Sequence, residues 1–250
     1  MTIYWNEHDM QDAAVSPQIL AEGDSWFSYW IPGTGNLLNK IDALWGSGRT
    51  IYSTAYPGDE ARSMLTGRSR EVLIANLKSY STLRMVLFSG GGNDIAAENL
   101  VSVLRTDCSG AQQVADCFRT GQPDARMTEI MNAYETLIEL RDMHRPDAVI
   151  ITHTYSYAIP DGRGVLCAGP WLLPQLKDAK VPVALRQPLV NLLMDKFAAG
   201  LLALQDKKFR VVDTRKKLGP DDWANELHPT SAGFTKIAQA MDAELKAVLS

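Results

Sequence analysis

Cysteine is scarce. Cys108, Cys117 and Cys167 are the only three in 250 residues, an odd count with no CxxC spacing and no paired histidines, which argues against a zinc site or a disulfide framework. Cys108 and Cys117 are still close enough in sequence to bridge a short loop. Nothing else points to an oxidising compartment, and a cytoplasmic protein is the expectation. No apolar run approaches the length of a membrane span. The first fifteen residues, MTIYWNEHDMQDAAV, carry early acidic groups and no apolar h-region, so no secretory signal is expected there. Basic charge is not in excess, with 25 Lys and Arg against 29 Asp and Glu for a net charge of −4. The basic stripe of a nucleic-acid binder is missing. Neither GxGxxG nor GxxxxGK occurs, which weakens a nucleotide or flavin reading of the glycine-rich stretch 89–93.

What remains is an ordinary globular composition, 46% apolar and 22% charged, long enough for one large domain spanning 1–250. Apolar runs of strand length, at 18–22, 49–54, 83–89, 148–153 and 209–213, are rich in β-branched or large apolar residues. Between and after them, 37–45, 71–80, 125–144, 189–205 and 231–249 place apolar residues three and four apart. Five strands alternating with helices predict a mostly parallel sheet covered on both faces, an α/β fold. The stretch 155–180, rich in Gly, Pro and aromatics, is too long for a plain connection and reads as a lid or binding wall.

Open α/β sheets bind ligands beyond the carboxyl ends of their strands, and three strand ends here are unusual. The first runs ILAEGDSW and ends in Gly23, Asp24 and Ser25. The third ends in Ser89, Gly90, Gly91, Gly92, Asn93 and Asp94. Beyond Asp213 come Glu226, Leu227, His228 and Pro229, with His228 fifteen residues on, then a helix. A Gly-Asp-Ser triplet alone arises by chance in about one chain in twenty of this length. All three features in this order are much rarer. Taken singly, Ser25, Gly58 and Asn93 also have turn or capping roles open to them. His8, His144 and His153 have none of this context, although His153 ends a strand on the same rim.

Together these blocks resemble the SGNH, or GDSL, hydrolases: GDSW at 23–26, Tyr56-Pro57-Gly58-Asp59, Gly91-Gly92-Asn93-Asp94 and Asn225-Glu226-Leu227-His228-Pro229. The resemblance spans most of the chain. It implies a flavodoxin-like α/β/α sandwich and hydrolysis of a small-molecule acyl ester without metal or organic cofactor. It also implies Ser25 as nucleophile, His228 as base, and an oxyanion hole from the Ser25 and Gly58 amides and the Asn93 side chain. The chemistry is coherent. A serine hydroxyl needs an adjacent base, and fixed donors facing the developing oxyanion are usually the largest catalytic contribution.

One position departs from the pattern. The family most often has aspartate three residues before the histidine, and this chain has Asn225. In a serine protease the same replacement costs about 10⁴ in kcat by holding the wrong imidazole tautomer. Asp222, Glu226 or a backbone carbonyl within 221–225 must then orient His228, and Asp222 is the favoured candidate. The same asparagine suggests the alternative of an idle ligand-binding module on this fold. Aromatics cluster after the nucleophile, including Trp26, Phe27, Tyr29 and Trp30, and in the long loop, including Tyr155, Tyr157 and Trp171. Trp26, Tyr155 and Trp171 are the candidate substrate walls.

Overall fold

Six short apolar segments form the sheet in the computed structural model, which describes residues 2–31, 34–46, 48–165 and 168–249. They are β1 (Thr2–Tyr4), β2 (Ile19–Gly23), β3 (Thr50–Ser53), β4 (Met85–Ser89), β5 (Val149–His153) and β6 (Phe209–Val212), all parallel, in the order β1-β3-β2-β4-β5-β6. Every residue of β2 and β4 is buried. That is the expectation for central strands covered on both faces. Helices Leu37–Trp45 and Ser231–Leu249 cover one face, and Ala61–Met64, Gly67–Ser79, Gln122–His144 and Val183–Leu204 the other. The architecture is an α/β/α sandwich.

The five-strand expectation is corrected to six. The extra strand, β1, is three residues long and pairs only with β3 at the sheet edge, too short for a polar/apolar period to register. The long segment 155–180 is also not all loop, because Leu173–Asp178 is helical. Cys108 and Cys117 are buried free thiols, and Cys108 Sγ lies 3.5 Å from the Cys117 carbonyl oxygen instead of bridging to its sulfur. Cys167 lies outside the described residues.

Topology places the site. From β2 the chain moves to β3 on one side, and from β4 it moves to β5 on the other. The carboxyl ends of β2 and β4 therefore flank the point where the winding reverses, where such sheets open a crevice. Gly23 and Ser89 are register partners there, and the Asp24 N–H donates to the Ser89 carbonyl at 2.9 Å. The GDS and GGGND segments thus leave the sheet side by side.

Candidate active site

Ser25 opens a single helical turn, Ser25–Ser28, because Asp24 at its N-cap accepts the Trp26 N–H at 3.0 Å. The buried Asp24 carboxylate also accepts the Tyr155 hydroxyl at 2.6 Å and the Ser89 hydroxyl at 2.8 Å. His153 Nδ1 accepts the Tyr155 N–H, so its Nε2 carries the proton and donates to Ser89 Oγ at 3.1 Å. Burial pushes Asp24 up to about 6 and His153 down to about 3. This polar cluster braces the end of β2 from below. Tyr155 is held at φ 57, a costly conformation for a bulky residue. Its bond to Asp24 and its edge-on packing against Trp26 keep it there.

His228 arrives from the far end of the chain on a tight hairpin. Trp223 and Pro229 form an antiparallel bridge, and the Ala224 N–H donates to the His228 carbonyl at 2.9 Å. Gly233 lets the following helix approach, since a Cβ there would lie 2.5 Å from the Asp222 carbonyl oxygen. The imidazole Nε2 lies 2.8 Å from Ser25 Oγ, across 203 residues of sequence. Tyr29 stacks on the ring at 4.0 Å between centroids and 9° between planes, and Trp171 packs edge-on at 5.5 Å.

The third position is answered by Asn225 itself. Its Oδ1 lies 3.0 Å from His228 Nδ1 and accepts the backbone N–H groups of Leu227 and His228, each at 3.0 Å. Its Nδ2 donates to the Tyr29 hydroxyl at 3.0 Å. Two backbone donors fix which end of the amide is oxygen. An oxygen there requires the proton on Nδ1 and leaves Nε2 free to accept from Ser25. Burial alone holds His228 down at about 3, because no carboxylate touches it.

Asp222 does not reach His228, which corrects the expectation for it. Its two oxygens sit 2.7 Å from Lys236 Nζ, and it accepts the Gly219 N–H at 2.8 Å. A stronger partner on the following helix takes the carboxylate away from the imidazole. Glu226 does not orient His228 either. Fully buried, it accepts four backbone N–H groups, from Gly162, Trp171, Leu172 and Leu173, at 2.6–2.9 Å. It clasps the long loop and so sets Trp171 against the imidazole.

The other predicted residues come to the same rim. The Asn93 amide donates to the Asp59 carbonyl at 2.9 Å, and Asp94 accepts the Ala61 N–H at 2.7 Å, so the β4 segment anchors the Gly58 loop. Gly58 stands at φ 92 with nothing within 4 Å of a Cβ position. Among the described residues no acceptor takes the N–H of Gly58 or of Ser25. Ser25, Trp26, Asn93 and Tyr155 line one cavity of about 580 Å³, counted to its open mouth. Gly58, Trp171 and His228 lie outside its wall. Trp26 is a buried strut, its Nε1 donating to the Leu227 carbonyl at 2.9 Å and its ring stacked on His153. Tyr29, Glu226 and the Asp24–Ser89–His153 cluster were not assigned these parts from sequence. For Tyr29 the only sequence signal is its nearness to Ser25.

Among the described residues no group of three or more His, Cys, Asp or Glu is placed to hold a metal ion, and no helix is long and apolar enough to cross a membrane. No family profile matches the chain, and no curated sequence matches it. Solved structures do. A lipase from a goat rumen metagenome is similar with a TM-score of 0.60 at 14% identity, over 91% of this chain and 97% of that one. A carbohydrate acetylesterase from Sinorhizobium meliloti gives 0.58 at 12%, over 93% and 99%. The inhibitor-bound aryl esterase of M. smegmatis gives 0.56 at 13%, over 93% and 100%. Sheet, covering helices and end-to-end coverage agree, and the chain has an SGNH hydrolase-like fold.

Proposed function

We propose that the protein is a serine ester hydrolase in which Ser25 is the nucleophile and His228 the base. The 2.8 Å contact between Ser25 Oγ and an imidazole whose free nitrogen faces it carries this reading. Ser25 Oγ attacks the ester carbonyl carbon while its proton passes to His228 Nε2. The oxygen that becomes negative is received by the Ser25 and Gly58 N–H groups and the remaining amide hydrogen of Asn93, fixed donors of the kind worth roughly 10² to 10³ each in rate. His228 returns the proton to the leaving alcohol as the C–O bond breaks. A water then repeats the sequence on the acyl-enzyme, releasing the acid and restoring Ser25.

Asn225 is the positioning residue in this scheme. It holds the productive tautomer but offers no negative charge to the imidazolium that forms. An idle binding module would share that neutral residue, and the two readings separate by turnover. Hydrolysis of p-nitrophenyl acetate and butyrate is expected from the wild type and is expected to fall at least a thousandfold in Ser25→Ala. Equal rates in the two proteins overturn the assignment.

A further inference from the structure

The proposed hydrolase chemistry leaves open which side of the ester is recognised, and resting on that reading we infer that the cavity beside Ser25 holds the hydrocarbon chain of the acyl group. Beyond Ser25 and Asn93 its walls are Ile95, Leu100, Leu172, Val190, Leu193 and Met194, all buried. Apart from Ser25 and Asn93, which face the reacting ester, its few polar side chains are already engaged. The Tyr155 hydroxyl is on Asp24, and the Ser156 hydroxyl donates to the Thr214 carbonyl. A sugar hydroxyl entering here would lose water and find no free partner, which costs affinity. A methylene chain loses nothing.

The side of the ester follows from His228. The leaving alcohol must depart next to Nε2, which returns its proton, and the imidazole is no part of the cavity wall. The alcohol therefore leaves toward Tyr29 and Trp171, which flank the ring. The acyl carbon, bonded to Ser25, points its chain the other way, between the Ile95–Leu100 wall and helix Val183–Leu204. Glu226 maintains the chamber, since the loop it clasps contributes Leu172 to the wall.

The test is chain length on each side of the bond. Ethyl hexanoate and hexyl acetate have the same formula and carry their hydrocarbon on opposite sides. The acyl site predicts at least a tenfold higher kcat/KM for ethyl hexanoate. Along a p-nitrophenyl series from acetate to octanoate, kcat/KM rises by up to about fourfold per methylene until the cavity is full. Leu193→Trp, which fills the cavity, collapses the hexanoate-to-acetate ratio. Leu193→Ala moves the optimum to longer acids, an opposite shift that misfolding would not produce. Equal rates on the two isomers, a preference for hexyl acetate, or the same chain-length profile in all three proteins overturns the inference, while Ser25-dependent turnover keeps the hydrolase reading standing. If no ester is turned over, calorimetric binding of 1-octanol reads the cavity directly. Binding lost in Leu193→Trp then supports the chain site without the chemistry, and no binding to the wild type overturns it.

Discussion

Replacing Asn225 by aspartate puts a carboxylate where the structure has a neutral amide and leaves the geometry nearly intact. The three N–H groups that meet Asn225 Oδ1, from Leu227, His228 and the His228 ring, can all donate to a carboxylate oxygen. The Tyr29 hydroxyl, now an acceptor from Nδ2, turns its own proton toward the second oxygen. Only the charge changes. A charge-assisted hydrogen bond contributes about 1.5–3 kcal/mol against about 0.5–1.5 for a neutral one. The forming imidazolium should therefore gain about 1.5 kcal/mol, or roughly tenfold in kcat/KM. The loss of about 10⁴ known for a protease with asparagine at this position stems from the wrong tautomer, and here the tautomer is already productive. The same carboxylate raises the His228 pKa from about 3 only part of the way toward the ordinary histidine value, since about 1.5 kcal/mol moves a pKa by about one. Because the base must be neutral, the acid limb of the rate profile moves up with it. The assay is kcat/KM on p-nitrophenyl butyrate from about pH 2 to 9 for both proteins, a range that takes in the wild-type acid limb. A gain of a thousandfold or more would mean that the wild-type tautomer is wrong. A gain with no shift of the acid limb would mean that the carboxylate does not act through the imidazole.

Asp222→Asn should leave kcat within about threefold, because its carboxylate pairs with Lys236 and not with His228; a hundredfold loss with an unchanged melting temperature would return the orienting part to Asp222. Glu226→Gln turns an amide NH₂ toward two of the four backbone N–H groups it now accepts, so tryptic cleavage at Arg163 should accelerate and KM should rise, and unchanged proteolysis would show that the clasp does not order the loop. Glu22 is buried beside Thr54, with burial raising it from 4.5 to about 8. The folded state thus keeps a proton that the unfolded chain releases, and this contribution, complete below pH 4.5, is lost as pH rises through about 8. Urea midpoints should accordingly fall across that window in the wild type and fall less in Glu22→Gln; parallel curves would refute the assignment.

Much of the fold was legible because its signals are local. The β2, β4, β5 and β6 strands are apolar runs flanked by Gly, Ser or Asp, and each lies within two residues of its expected place. Where local signals conflict, expectation and structure differ. Helix Val183–Leu204 carries Pro188 within it, whereas the sequence pattern starts the helix at 189, after that proline, whose missing N–H normally ends a helix. Helix Gly67–Ser79 starts in a polar turn, Arg68 to Arg70, with no apolar period to mark it. Ser25, His228 and Asn93 stand out in the sequence because three uncommon blocks occur together in order, and the structure brings Ser25 Oγ and His228 Nε2 to 2.8 Å. The part given to Asp222 failed for a physical reason. Nothing in sequence tells whether an acid will face an imidazole or Lys236, which sits fourteen residues away on another element.

Histidine placement here is a property of the backbone more than of the residue at the third position. The hairpin closed by Trp223 and Pro229 fixes where the ring starts, and Tyr29 fixes its plane from one side. Trp171, delivered by the Glu226 clasp, meets it edge-on. In a triad the acid does two things: it orients the base and it neutralises the imidazolium. Orientation is already supplied by packing and by an amide whose direction two backbone donors dictate. Only the charge is forgone. With no carboxylate in contact, burial holds the ring neutral down to about pH 3, and as the proposed base it is available at pH values where an ordinary histidine is not. The proposed chemistry therefore exchanges a modest part of its rate for a wider acidic range, and the size of each follows from one hydrogen bond, Asn225 Oδ1 to His228 Nδ1.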